Sequence, residues 1–160
     1  MNIDNFDYIV AKVAKIYFNE LFGNDFVKFE NDEINTSLNY GYAILRGIIK
    51  QTIIAKGLIP PLGLWHKSQF NNYNLADDII EVFRPLVDYV TFHFVIKDDN
   101  FTSEERSYLQ RVIFQKVKYN NSNLEYVDCL NIYIDQIAKY MNKEIKDITF
   151  PITDSELYEY

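Results

Sequence analysis

A length of 160 residues, with 48% apolar and 16% aromatic side chains, suffices for one buried core and excludes a disordered chain. The formal net charge of −7 lacks the basic surplus of a protein that binds nucleic acid broadly, so any DNA contact must be local or depend on metal or partners. Gly (5) and Pro (4) are scarce, which leaves few turns and points to long helices, a mainly α fold.

In chain order, the first predicted element runs from Asn5 to Phe22, where Ile9, Val13, Ile16 and Leu21 recur at helical spacing and Gly23 stands as a C-cap. Asp25 to Phe29 reads as a short extended connector. Asn31 or Asp32 can cap a long helix to about Lys56, in which Gly41 and Gly47 each imply a close neighbouring backbone. Leu58 to Tyr73 is irregular, since Pro60, Pro61 and Gly63 interrupt any helix. Asn74 caps a third helix with an apolar face from Ile79 to Phe94, and Pro85 predicts a kink or break within it. Asp98-Asp99-Asn100 closes that helix. Thr102-Ser103-Glu104-Glu105 is a capping-box signature for a fourth helix through about Gln115. Val117-Lys118-Tyr119 reads as extended, and Leu124 to Asn142 as a fifth, amphipathic helix. Residues 1–150 thus form one helical lobe, followed by an acidic tail at 151–160. The single cysteine, Cys129, excludes an internal disulfide and fits a reducing compartment. The first residues show no secretion signal, and charges break every apolar run short of a membrane span, so a cytoplasmic protein with no membrane partner is expected.

Chemistry concentrates between His66 and Glu81. Asp78 and Glu81 are i, i+3, and Asp77 and Glu81 i, i+4, so these acids share a helix face beside a loop histidine. One imidazole and two carboxylates would suit Mn²⁺ or Mg²⁺. The helix dipole alone also explains Asp77 and Asp78, and packing or hydrogen bonding the histidine. Asn71, Asn72 and Asn74 are ordinary turn and cap residues. Trp65 is read as a core anchor in preference to a base-stacking platform. Lys12, Lys15, Arg46, Lys50, Lys67 and Arg84 could supply a local basic surface or simply solvate helices.

The segments Ser37–Arg46, Gly63–Asn71, Asn74–Asp78 with Glu81–Asp88, and Ala14–Gly23 resemble, in order and spacing, the CRISPR-associated spacer integrase, the metal-dependent nuclease of CRISPR adaptation, in its type II style. The resemblance implies a multi-helix catalytic lobe that uses Mg²⁺ or Mn²⁺ to join a DNA 3′-hydroxyl to a phosphodiester. His66 falls on the family's metal histidine and Glu81 on its acidic ligand, both catalytic, with Asp78 a further ligand candidate. DNA contacts are expected at Lys15, Arg46, Lys67 and Arg84. The implied partners are DNA, a second integrase protomer and the partner nuclease subunit of adaptation. Two departures stand out: the family's first ligand glutamate falls on Val10, and the family's N-terminal β-domain has no counterpart in this sequence. They imply weak activity in isolation, or a non-catalytic helical relative that docks on a full-length integrase. Two geometric expectations follow. His66 and Glu81 should face one cleft between the first and third helices, about 5 Å apart or less given ~2.1 Å metal–ligand bonds. Asn39, Tyr40 and Tyr42 should be partly buried, with Gly41 admitting the third helix.

Overall fold

Helix starts and stops follow local chemistry. The computed structural model describes residues 3–28, 30, 32–95, 101–119 and 122–150, with the side chains of 3–10 and 94–95 excepted. The first helix, α1 (Ile3–Phe22), ends at Gly23, whose φ of +96° no β-carbon tolerates cheaply. The connector after it is a series of turns rather than an extended segment. Asp32 opens α2 (Glu33–Ala55), its carboxylate accepting the Asn35 N–H at 2.6 Å. Gly57, at φ +73°, closes it.

The third helix, α3 (Asn74–Val95), departs from expectation twice. It runs unbroken through Pro85, because Phe83, Leu86, Val87 and Val90 on its buried face seat both halves in one core. Asn74 does not cap it. The Asp77 N–H goes to the Tyr73 carbonyl, and the Asn74 amide turns outward to clasp the carbonyls of Pro61 (3.0 Å) and Ser68 (2.9 Å).

Thr102 caps α4 (Ser103–Arg111), its hydroxyl accepting the Glu105 N–H at 3.1 Å. The helix stops earlier than Gln115 and tightens into one 3₁₀ turn at Val112–Phe114. Strands β1 (Lys116–Tyr119) and β2 (Ser122–Glu125) then form an antiparallel hairpin with Val117 opposite Leu124. The last helix, α5 (Tyr126–Met141), therefore starts two residues later than its apolar pattern suggests, since Leu124 and Glu125 belong to the hairpin that seats Val117 in the core. The fold is mainly α, with this hairpin as the sheet among the described residues. No helix of the described residues is long and apolar enough to cross a membrane.

Helix α2 lies along α3, and Gly41 permits it: a β-carbon there would meet Val87 Cγ1 at 2.4 Å. Gly47 has open space around it and serves no such approach. Tyr40 and Tyr42 are half-buried as expected, but Asn39 is exposed, because its position on α2 turns away from both α3 and α4. A polar tie crosses this packing. The buried Ser37 hydroxyl donates to the Glu105 carboxylate, which leaves Thr91 as the donor to Ser37 at 2.8 Å. Burial raises the Glu105 carboxyl above its ordinary value against that hydrogen bond. So Glu105 is spent on joining α2 to α4 rather than on reaching back in a reciprocal capping box. On α5, Cys129 is fully buried, and burial pushes its thiol up to about 11. The segments 98–100 and 151–160, expected to close α3 and to form the acidic tail, lie outside the described residues.

Candidate functional site

Asp78, one turn into α3, organises the loop that carries His66. Its Oδ2 accepts the backbone N–H groups of Leu64 and Trp65 (3.0 Å), and its Oδ1 accepts the His66 N–H at 2.9 Å. The His66 ring Nδ1 also sits 2.7 Å from Oδ1. Burial pushes the Asp78 carboxyl up, but the hydrogen bonds from His66, Trp65 and Leu64 outweigh it and hold the group below the usual carboxylate range. An ionised Asp78 makes Nδ1–H the donor, so that in the neutral imidazole it is His66 Nε2 that carries the lone pair. Gly63 makes the tight loop possible: a β-carbon there would lie 2.2 Å from the His66 carbonyl oxygen, 2.7 Å from Asn74 Cβ and 2.9 Å from Asp78 Oδ2.

Glu81 stands on the next turn, exposed, with Arg84 Nη1 donating to its Oε1 at 2.8 Å. The Arg84 guanidinium lies over the Tyr42 ring, 4.3 Å from its centroid. The Tyr42 hydroxyl donates to Asp88 Oδ1, and that of Tyr17 donates to Asp88 Oδ2 at 3.0 Å. Burial raises the Asp88 carboxyl even though both phenols and Arg84 pull it down. Burial and the Asp88 charge together raise both phenols. Tyr17, Arg84, Asp88 and Lys28 border a cavity of about 380 Å³ between α1 and α3 that Glu81 also lines. His66 lines a different cavity, of about 440 Å³, formed by its own loop with Lys67, Gln69, Asn71 and Asn72. The cleft expected to hold both residues is therefore lined by Glu81 and not by His66.

Asp77 is engaged elsewhere: Arg46 Nη2 pairs with it at 2.6 Å, and the Asn71 amide donates to it. Of the basic candidates, Arg46 and Arg84 hold carboxylates, Lys50 sits 3.8 Å over the Tyr73 ring, and Lys12, Lys15 and Lys67 are exposed. Trp65, expected in the core, is 62% exposed, because the backbone N–H groups of its loop face Asp78 and the core positions below are filled by Leu75, Ile79 and Ile80. Sequence reading missed the roles of Asp88 and Ser37, whose partners come from other helices. It also missed a signal written in the chain: residues 34–76 contain no Asp or Glu but four cations, Arg46, Lys50, Lys56 and Lys67. That stretch is a local basic segment inside an acidic protein.

The sequence model of the family CRISPR associated protein Cas1 matches residues 25–119, more than half of the chain. The chain belongs to the Cas1 family. Among curated Cas1 relatives, the CRISPR-associated endonuclease Cas1 of Neisseria meningitidis serogroup C (strain 8013) is 46% identical over 83 residues, covering 52% of this chain and 27% of that protein. The CRISPR-associated endonuclease Cas1 1 of Francisella tularensis subsp. novicida (strain U112) is 32% identical over 132 residues, 70% of this chain and 41% of the relative. The solved structure of a casposase bound to integration product is similar in fold, with a TM-score of 0.68 and 21% identity over 89% of this chain and 46% of that one. The chain thus spans less than half the length of these Cas1 relatives and of the casposase.

The Cas1 resemblance implies a divalent ion at His66, Glu81 and the first-ligand position. The donor chemistry fits at His66, where a carboxylate fixes one ring nitrogen and leaves the other for a metal. Glu81 offers exposed oxygens. The first-ligand position is Val10, which has no donor atom and whose side chain lies outside the described ones. Among the described residues no three His, Cys, Asp or Glu side chains gather to hold a metal ion. Asp78, the further ligand candidate, spends both oxygens on the loop.

Proposed function

We propose that this chain is the helical catalytic-lobe part of a cytoplasmic CRISPR adaptation endonuclease and integrase that transfers DNA phosphodiesters, with His66 and Glu81 at the reacting phosphate. The Asp78–His66 pair carries this reading. A histidine held on a rigid loop by three backbone hydrogen bonds and its own Nδ1 presents Nε2 in one orientation, which suits a metal ligand or a proton acceptor better than a packing residue. Mg²⁺ or Mn²⁺ at Nε2 and the Glu81 carboxylate would act as a Lewis acid on the phosphate oxygens. Arg84 orients the Glu81 carboxylate, and the exposed Lys15 and Lys67 would steer the DNA backbone. A second integrase protomer and a partner nuclease subunit belong to the same reading.

The test is a strand-transfer and branched-DNA cleavage assay in Mn²⁺, run beside calorimetric Mn²⁺ titration. The parent chain is expected to bind Mn²⁺ weakly and to cleave slowly, because Val10 supplies no ligand. His66→Ala should abolish both signals, and Val10→Glu should tighten Mn²⁺ binding. Cleavage that survives His66→Ala would sink the assignment.

A further inference from the structure

Glu81 stands on a turn of α3 that lacks one of its own backbone ties. Pro85 follows four residues later and has no N–H, so the hydrogen bond that would close on the Glu81 carbonyl is missing. The Glu81 side chain is exposed as well. It is held from the side instead. Arg84 Nη1 donates to Glu81 Oε1 at 2.8 Å, and the same half-buried guanidinium lies over the Tyr42 ring and donates to the Tyr42 hydroxyl. That hydroxyl donates in turn to Asp88 Oδ1, while Tyr17 reaches from α1 to hold Asp88 Oδ2 at 3.0 Å. Glu81, Arg84 and Asp88 fall at i, i+3 and i+7 on one face of α3, and all three line the cavity of about 380 Å³.

Stability alone is a poor reason for this cluster. Asp88 is 2% exposed, and burial raises its carboxyl although both phenols and Arg84 pull it down, so the fold disfavours its charge. Apolar side chains of similar volume often replace a buried ionic cluster without loss of stability. What apolar groups could not do is aim a guanidinium. Asp88 is fixed by hydrogen bonds from two other helices, and the chain of donors that starts at it ends on the Glu81 carboxylate. We propose that Asp88 is a positioning residue for Glu81: anchored by Tyr17, it fixes Tyr42 and, through Tyr42, the Arg84 guanidinium that aims the Glu81 carboxylate into the cavity. The proposal deepens the phosphodiester-transfer reading and rests on it, since that reading makes Glu81 a metal ligand. A carboxylate already oriented loses less rotamer freedom when it takes up an ion. Asp88 lies two turns along α3 from Glu81 and acts through the two intervening side chains.

Mn²⁺ is titrated into the whole chain and the free ion is followed by its paramagnetic resonance signal, a readout that needs no turnover. Asp88→Asn keeps the shape but not the charge, and it should weaken Mn²⁺ binding about 10-fold, the low end for groups that orient a metal ligand. Tyr42→Phe keeps the ring beneath Arg84 but removes the hydroxyl, and it should weaken binding by a similar factor. It carries the test alone if Asp88→Asn does not fold. In a Glu81→Gln background neither substitution should weaken binding further, a non-additivity that general loosening of the fold would not produce. In the metal-free protein, hydrogen exchange of the Arg84 side chain should accelerate in both variants. Undiminished Mn²⁺ binding by the folded variants, or the same loss with and without the Glu81 carboxylate, overturns the positioning role while the transfer reading stands. Mn²⁺ binding that is absent from the parent, or indifferent to both Glu81→Gln and His66→Ala, overturns the transfer reading and the positioning role with it.

Discussion

Asp78 and Asp88 stand on the same helix and accept hydrogen bonds on both oxygens, yet their carboxyls move in opposite directions. Burial pushes both up. At Asp78, three backbone N–H groups and an imidazole converge and win; at Asp88, two phenols, Arg84 and Lys28 do not. Backbone N–H groups fixed by a tight loop are pre-aimed donors that need no side-chain ordering, whereas a phenol must be held by its own packing. The first aspartate is therefore an ionised bracket for an exposed loop, and the second a buried fastening between α1, α2 and α3. Acidic residues of similar spacing on one helix serve different ends according to which donors the rest of the chain brings to them.

The largest effect should come from removing the bracket. Asp78→Ala strips four hydrogen bonds to an ionised acceptor, and allowing for water at the exposed loop it should cost about 3 kcal/mol in urea unfolding. Amide exchange at Leu64, Trp65 and His66 should accelerate with it. Unchanged protection at those amides would mean that the loop is held by something else. The next effect separates the two aspartates by sign. Asp78 contributes stability that is present above its unfolded value of 3.8 and lost as pH falls through its lower folded value. Asp88 works the other way, with stability declining as pH rises from 3.8 through its raised folded value. Where the folded and unfolded states differ by one proton, the slope is about 1.4 kcal/mol per pH unit. Urea midpoints of Asp88→Asn across acidic to neutral pH should lack part of that decline, with Glu105→Gln removing a further part of the same sign. An identical pH profile in the Asn variant would contradict the burial argument. The smallest effect is Tyr17→Phe, which leaves Asp88 one phenol and should cost about 1 kcal/mol. Its cost should largely vanish in an Asp88→Asn background, a coupling that a double-mutant cycle reads directly.

Much of this arrangement could be read from the chain and some of it could not. The helices were legible because Leu38, Leu45, Ile49 and Ile53, or Ile79, Phe83, Leu86 and Val90, repeat with the period of an α-helix. The Thr102 cap was legible because the side-chain oxygen there has one nearby task, and the cap of α2 was narrowed to Asn31 or Asp32, of which the structure uses Asp32. The hairpin at Lys116–Glu125 was half hidden, since Leu124 fits both a strand and the following helix. Asn74 misled for the opposite reason: an amide before an apolar run usually caps, and only the folded loop offers it two better acceptors. Asp78 and Glu81 could be placed on adjacent turns, but spacing along α3 does not say which way the seventeen-residue loop (57–73) that carries His66 folds over it. The Asp88 fastening was out of reach because Tyr17 and Tyr42 approach it from separate helices. Trp65 was misjudged because size and apolarity argue for burial, and the bracing that turns it outward resides in backbone hydrogen bonds.

The seclusion of Cys129 has a practical side. With a thiol value near 11, only about one molecule in 10⁴ carries the reactive thiolate at neutral pH, and the sulfur is fully enclosed beneath α5. Maleimides and other alkylating dyes should pass it by. The folded wild-type surface is thus silent to thiol labelling, and a cysteine introduced at a chosen exposed site would accept a spin label or fluorophore selectively, without first removing the native one.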